Sequence, residues 1–446
     1  MRRGTFRALS NLTIPEKPRA NPIGRQVTAQ TAIQAHAGDT VLEPAEARLK
    51  ACRACGLVQS LPAPRPSHDR KCRRCGETMG SGLVHLDVVL PILVAAVIAF
   101  AVALTVPLAR IELSGQHAEA DPMTGVYGFL NYGNWPMALF TFVGVTFAPL
   151  GRTVGLLFAV LCVRIGWRPR ALPRIYRFVE DLKPWSMLDV FLVGALISMT
   201  KLHDLVRVEM AAGLWVLMGL VWMLALFDSL FDRHRFWDYI QAPVEVPAGT
   251  DAVSCNHCGL LQEPALRCRR CAARLHRRKP DSVQVTWALV ISGVILYIPA
   301  NLYPVFTIVS FGRGNTSTIL GGVRQLLDGG DWPLAIIIFV ASIVVPLIKL
   351  IGLGWLLIAT RRPQPRRLIA NTKLHRLIEA IGRWSATDVF VAALLCGLVT
   401  LQNLATVVPG PGVLAFGAVV VLTMVATMTF DQRLLWDAAE TNDEQH

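Results

Sequence analysis

The sequence predicts an all-α integral membrane protein. Eight transmembrane helices form two parallel four-helix repeats, each preceded by a small cytoplasmic four-cysteine ribbon, with short periplasmic β elements. Three observations carry this reading. The composition is 53% hydrophobic and 17% charged, with mean hydropathy +0.45, whereas soluble domains run near about 25% charged. The apolar residues fall in blocks longer than a core helix needs. The second half of the chain also repeats the first. A soluble enzyme, a secreted disulfide scaffold and a disordered chain are excluded. The net charge of +13 could point to nucleic acid, but in a membrane protein it reads more simply as loops facing anionic headgroups.

Residues 1–50 contain no apolar run of the kind a signal peptide needs, so they read as a basic, mobile cytoplasmic tail with no cleavable leader. A first ribbon is expected at 51–84, with Cys52-x-x-Cys55 and Cys72-x-x-Cys75, and a second at 250–280, with Cys255-x-x-Cys258 and Cys268-x-x-Cys271. Four thiolates from two such knuckles suit a tetrahedral zinc ion, and a structural metal keeps so small a unit folded. Iron fits the same four-thiolate geometry and stays open as the alternative. Disulfides do not suit a reducing cytoplasm, and no βαβ pattern surrounds the pairs to make them redox motifs. Cys162 and Cys396 lie in apolar spans and read as packing residues.

The first bundle is expected at 85–240 and the second at 281–438, with a short cytoplasmic tail at 439–446. Apolar spans lie at roughly 88–108, 137–163, 187–206, 211–231, 285–308, 333–359, 386–408 and 412–430, each long enough to cross about 30 Å of hydrocarbon. Loop charge sets the topology. Arg164, Arg168, Arg170, Arg174, Arg177 and Lys183 follow the second span, and Arg361, Arg362, Arg366, Arg367, Lys373, Arg376 and Arg383 follow the sixth. The positive-inside rule then places both termini in the cytoplasm.

The duplication is explicit. Pro107, Trp135-Pro136 and Pro149 recur 197 residues later as Pro304, Trp332-Pro333 and Pro346. Trp185-Ser186-x-x-Asp189-Val190-Phe191 recurs as Trp384-Ser385-x-x-Asp388-Val389-Phe390, and Phe227-Asp228 and Trp237-Asp238 recur as Phe430-Asp431 and Trp436-Asp437. Four spans per half is an even number, so the repeats share one orientation. In the outer loops, β-branched runs around Gly312-Arg313-Gly314-Asn315 predict a hairpin, with a weaker copy near Leu108–Ser114.

Paired four-cysteine modules, each followed by four spans, Tyr297-Ile298-Pro299-Ala300-Asn301-Leu302-x-Pro304 at the second bundle, and a Trp-Ser-x-x-Asp-Val-Phe motif in each half resemble the paraquat-inducible protein A family over about residues 50–438. The resemblance implies a bacterial inner-membrane protein that moves lipid, phospholipid in the first instance, between inner membrane and cell envelope. Its implied partner is a periplasmic MCE-domain protein.

Ionisable groups at bilayer depth are costly and therefore mark candidate sites. Lys349 lies deep in the sixth span, too far from Arg361 to snorkel easily, and Arg152 occupies the matching place in the first half. Ser342 shares a helical stripe with Lys349. Ser385 and Asp388 fit a helix cap, or alternatively face Lys349 together with Thr423; the resemblance favours this second reading, a polar transport cluster in the second bundle. Secondary candidates are Arg152, Asp189 and the pair Lys201 and Asp204. Pro149 and Pro346 should kink their spans and free carbonyls near Arg152 and Lys349, and Pro299 and Pro304 should break the fifth span. Three functions follow: a non-enzymatic lipid-transport component, an envelope scaffold, or a redox protein with iron in the cysteine sites. No phosphate-binding GxxxxGK[ST] loop is present.

Overall fold

The computed structural model describes residues 48–61, 70–80, 86–113, 116–203, 207–241, 252–310, 313–330, 332–362, 364–398, 400–401 and 405–443. Most of the expected N-terminal tail lies outside them. Glu46–His446 form one compact unit.

Eight helical stretches are long and apolar enough to cross a membrane: Leu86–Thr105, Trp135–Ile165, Leu172–Thr200, Ala212–Leu230, Ser282–Leu302, Ala335–Arg361, Leu368–Gly397 and Pro411–Thr429. The third and seventh begin earlier than expected. Segments that read as arginine-rich loops are amphipathic helices, Leu172–Leu182 and Leu368–Gly382. Leu172, Tyr176, Val179 and Leu182 bury one stripe of the former, and Leu368, Thr372, His375, Ile378 and Gly382 one stripe of the latter. This i, i+3, i+4, i+7 pattern turns the basic residues outward.

Each proline kink is a wide π turn just ahead of the proline, at Val143–Phe147 and Val340–Val344. Proline has no N–H for the preceding turn, so the ladder slips by one residue. The backbone N–H groups of Ala148 and Val345 accordingly reach back five residues, to the carbonyls of Val143 and Val340. Pro299, by contrast, does not break the fifth span, which runs on to Leu302.

The halves are not two free-standing bundles. Two-thirds of the apolar stretches of the third and seventh spans are buried, against about a quarter of the first, fourth and fifth. The third and seventh lie together at the middle. Phe191 and Phe390, the repeated phenylalanines, meet edge-to-face at 5.8 Å, and Phe140 stacks on Phe390 at 6.0 Å. The short helix Thr124–Asn131, between the first and second spans, joins this seam: a Cβ on Gly128 would lie 2.6 Å from the Gly397 nitrogen. Large apolar side chains such as Ile98, Trp222 and Ile295 remain exposed on the peripheral spans, where lipid would cover them.

One end carries the β elements. Ala109–Leu113 pairs antiparallel with Gln116–Ala120, Ala109 opposite Ala120, and on its other edge with Arg207–Met210. In the second half Phe306–Ser310 pairs with Arg313–Ser317 as the expected hairpin, and also with Ala405–Pro409, which in turn pairs with Thr400–Leu401. The hairpins were legible; the strands joining them from the loops after the third and seventh spans were not.

The other end carries both cysteine ribbons, and they are crossed. The first ribbon packs on the second half: its four cysteines share a core with Leu350, Leu353, Phe430 and Trp436. Arg74 pairs with Glu440, Arg376 with Glu77, and Arg433 Nε donates to the Arg53 carbonyl. The second ribbon packs on the first half with Val89, Leu156, Tyr176 and Trp237. Here Arg177 donates to the Cys271 carbonyl and Arg270 to Asp238. Arg53 also donates to the His257 carbonyl at 2.6 Å, tying ribbon to ribbon. Helices after the fourth and eighth spans complete the platform: Arg233–Ile240, capped by Asp232, and Arg433–Asp443, which occupies much of the expected C-terminal tail.

Candidate functional site

Each cysteine tetrad is built from two knuckles. In the first ribbon Cys52 N donates to Leu57 O and Gly56 N to Cys52 O, and Cys72 N donates to Glu77 O and Gly76 N to Cys72 O. The second ribbon repeats the pattern at Cys255 and Cys268. The residue after the second cysteine takes positive φ in all four knuckles: Gly56, Gly76 and Gly259, but Ala272 in the last, at φ +55°. All four sulfurs of each set lie within 4.8 Å of one another, and nearest Sγ pairs are 3.5–3.6 Å apart. A tetrahedral ion with metal–sulfur bonds of about 2.3 Å needs edges of about 3.8 Å, so both sets fit a metal. Hydrogen bonding from Cys52 and then Cys55 holds the Cys75 thiol below its ordinary range.

At bilayer depth the sixth span brings Ser342 and Lys349 inward, both fully buried. Lys349 Nζ donates to the Gly382 carbonyl at 3.1 Å and to Ser385 Oγ at 3.3 Å, while Ser385 Oγ donates to Gly382 O at 3.0 Å. The carbonyl comes from the last turn of the amphipathic helix, not from the proline kink. The kink's Ile343 carbonyl is instead taken by Tyr297 OH at 3.3 Å. Ser342 and Thr423 are buried, each hydroxyl donating within its own helix, to Ile338 O and Val420 O. Asp388 is half-buried in the first turn of Thr387–Leu398, one turn beyond Ser385.

The first half differs. Arg152 is nearly buried and ion-paired with Asp228, which Lys183 also reaches at 3.5 Å. The cation that matches Lys349 therefore carries its own counter-ion. Asp189 is half-buried at the start of Leu188–His203. The Lys201 side chain and Asp204 lie outside the described residues.

Sequence reasoning missed Asp228, although the repeated Phe-Asp pair announced a shared role. It also missed a polar stratum in Leu368–Gly382: Asn371 accepts from Trp355 Nε1, Thr372 accepts from Trp436 Nε1, and His375 is buried. Helical periodicity beneath the arginines was the available signal.

Comparison with known proteins agrees with the internal repeat. The family described as paraquat-inducible protein A matches twice, over residues 86–241 and 283–440. The chain is 30% identical over 414 residues to the intermembrane transport protein PqiA of Escherichia coli (strain K12), covering 88% of this chain and 97% of that one. It is 30% identical over 406 residues to the lipophilic envelope-spanning tunnel protein A of the same strain, covering 88% and 92%. A probable intermembrane transport protein of Haemophilus influenzae is 26% identical over 399 residues, covering 86% and 95%. No solved structure matches.

Proposed function

Because the chain belongs to the paraquat-inducible protein A family, we propose that this multi-pass membrane protein is an inner-membrane component that passes phospholipid between the inner membrane and the cell envelope. It works with a periplasm-spanning MCE-domain protein and catalyses no covalent chemistry. The names of its relatives, an intermembrane transport protein and an envelope-spanning tunnel protein, support this direction.

The observation that carries the reading is Lys349. A fully buried ammonium in the membrane region, donating to a carbonyl and a hydroxyl, is an expensive group to keep for packing alone. Both acceptors are neutral, so the positive charge is available to a lipid phosphate or, by gaining and losing a proton, to a coupling step. Ser385, Asp388, Ser342 and Thr423 are the hydroxyl and carboxylate groups that would complete such a site. Arg152, already paired with Asp228, is the structural counterpart, and the second half is therefore the working one. Asp189, Lys201 and Asp204 stay secondary.

The tetrads Cys52, Cys55, Cys72 and Cys75, and Cys255, Cys258, Cys268 and Cys271, would each hold zinc, which cross-links its ribbon and so supports the platform beneath the spans. With the ribbons in the cytoplasm, both termini are cytoplasmic and the sheets face the periplasm, where the partner would dock.

Native mass spectrometry of the detergent-purified chain tests this. Two zinc ions and a retained phospholipid that is lost in Lys349→Ala are expected. Retention unaffected by Lys349→Ala and by Asp388→Ala refutes the site, and iron in place of zinc refutes the structural-metal assignment.

A further inference from the structure

A second, independent feature sits where the second ribbon meets the first half. The connection leaving the second span, the start of Leu172–Leu182, the end of Arg233–Ile240 and the last knuckle of the ribbon enclose a cleft of about 370 Å3. Its charged lining is of one sign. Arg168, Arg170, Arg174, Arg269 and Arg270 line it, and among the described residues no carboxylate does. Arg270 is 5% exposed; one guanidinium nitrogen donates to Asp238 at 3.1 Å, and its buried Nε has no hydrogen-bond partner. The other four are exposed and form no ion pair among the described residues. Beyond Arg270, which Asp238 already pairs, four guanidinium groups share one cleft, and an anion among them would relieve their mutual repulsion.

The duplicated half supplies an internal comparison. Arg74, in Cys72-Arg73-Arg74-Cys75, corresponds to Arg270 in Cys268-Arg269-Arg270-Cys271. Arg74 lies 4.5 Å over the Trp436 ring and 2.6 Å from the Glu440 carboxylate. Aligning Trp436-Asp437 with Trp237-Asp238 sets Glu440 opposite Gln241, which lines the arginine cleft. The second half thus carries its own carboxylate at this place, where the first half has a neutral amide.

Position narrows the source of the anion. Ile165 and Trp167, 70% and 59% exposed, lead directly from the end of the second span into Arg168. A tryptophan followed by arginines at a span end marks the headgroup level of a bilayer.

We propose that this cleft binds a phosphate group, presented by the headgroup of an anionic phospholipid in the adjoining leaflet. Planar guanidinium groups bind phosphate oxygens in pairs, which favours this ligand over a simple halide. The site is separate from Lys349 and does not rest on the transport reading.

The test uses the full chain in detergent, titrated separately with short-chain phosphatidylglycerol, phosphatidylcholine of equal chain length, and inorganic phosphate, with binding read by calorimetry. Two variants alter the exposed lining without touching the buried Arg270: the pair Arg168→Gln with Arg174→Gln, and Gln241→Glu, which imports the second half's carboxylate. Phosphatidylglycerol should bind more tightly than phosphatidylcholine, weaken about fivefold for each arginine removed, and weaken comparably in Gln241→Glu. Inorganic phosphate binding that falls in the same variants, with no preference among the lipids, upholds the phosphate site and assigns it to a soluble anion. Equal binding of the two lipids without phosphate binding, or affinities unmoved by both variants, overturns the proposal. So does a single-stranded oligonucleotide that binds the cleft more tightly than either phosphate source.

Discussion

Replacing Lys349 by methionine separates a working cation from a structural one. The side chain is fully buried, and its Cε and Nζ lie 3.7 and 3.8 Å from the place a Cβ on Gly382 would take. Methionine is also unbranched and fills most of that track. Two hydrogen bonds to neutral acceptors disappear, each worth about 1.5–3 kcal/mol because the donor is charged. No donor is stranded, because Ser385 still donates to the Gly382 carbonyl at 3.0 Å. Against that loss stands the desolvation of an ammonium, several kcal/mol even after relaxation. The balance makes Lys349→Met neutral to stabilising, by roughly 0–3 kcal/mol. Lys349→Ala removes the stem as well and should cost about 2–5 kcal/mol by analogy with long apolar side chains. Thermal unfolding of the purified variants measures the difference, and an envelope-barrier complementation assay measures function. The expected result is a stable methionine variant that fails to restore the barrier. A methionine variant that restores it refutes the working cation. One that unfolds as readily as the alanine variant refutes the desolvation argument.

Three further outcomes are expected. Because the ribbons are crossed, Cys52→Ser should loosen amides of Arg433–Asp443 and Leu368–Gly382, while Cys255→Ser should loosen Leu172–Leu182 and Arg233–Ile240; hydrogen exchange that reports each ribbon protecting its own half refutes the crossing. Ala272→Gly should strengthen the second ribbon by about 1 kcal/mol, since an alanine at φ +55° carries a left-handed penalty that glycine escapes; slower metal loss to a chelator is the readout, and faster loss counts against it. Gly128→Ala should lower thermal stability by about 1–3 kcal/mol, because the new methyl meets the Gly397 backbone and not a side chain that can turn away; an unchanged melting temperature would mean that the seam between the halves is looser than it looks.

What could be read in advance follows from which forces act locally. Span number, the repeat and the cysteine tetrads rest on residue type and spacing, which a single chain displays. The hairpin at Phe306–Ser317 was equally visible, being local. Three things were not. The amphipathic helices Leu172–Leu182 and Leu368–Gly382 were masked by their arginines, since a high local charge reads as a loop unless the apolar stripe beneath it is counted. Strands Arg207–Met210 and Ala405–Pro409 join hairpins roughly a hundred residues away in sequence, and nothing local encodes such pairing. The crossing of the ribbons depends on which apolar face each knuckle covers, and four similar knuckles meeting two similar platforms give the sequence no means of choosing. At the candidate site the same divide appears: Lys349 was conspicuous as a charge in an apolar run, whereas Gly382, which supplies only a carbonyl, carries no chemical mark.

The crossing bears on why two unequal halves would be retained. Each ribbon is covalently continuous with one half and seated on the other, with Arg53 bridging to His257 where the two ribbons meet. A displacement of either half must then move the ribbon beneath its neighbour, or break half-buried contacts such as Arg177 to the Cys271 carbonyl and Arg433 to the Arg53 carbonyl. At the centre, Phe140, Phe191 and Phe390 and the close approach of Gly128 to Gly397 leave little room for one half to slide past the other. A rocking motion of one whole repeat against the other is therefore disfavoured at both levels. On the transport reading, motion has to come from within the second half, and the sixth span has the element for it. The π turn at Val340–Val344 separates an outer segment from the segment that carries Lys349, with Ser342 inside the turn and the Ile343 carbonyl held by the Tyr297 hydroxyl at 3.3 Å. The first half has the same π turn at Val143–Phe147, but its cation is locked to Asp228. Trapping the turn, by a disulfide engineered between the outer segment and the fifth span, should abolish barrier function while leaving metal content unchanged. The same cross-link placed in the first half should be tolerated, and loss of function from both would mean that the halves work as a pair.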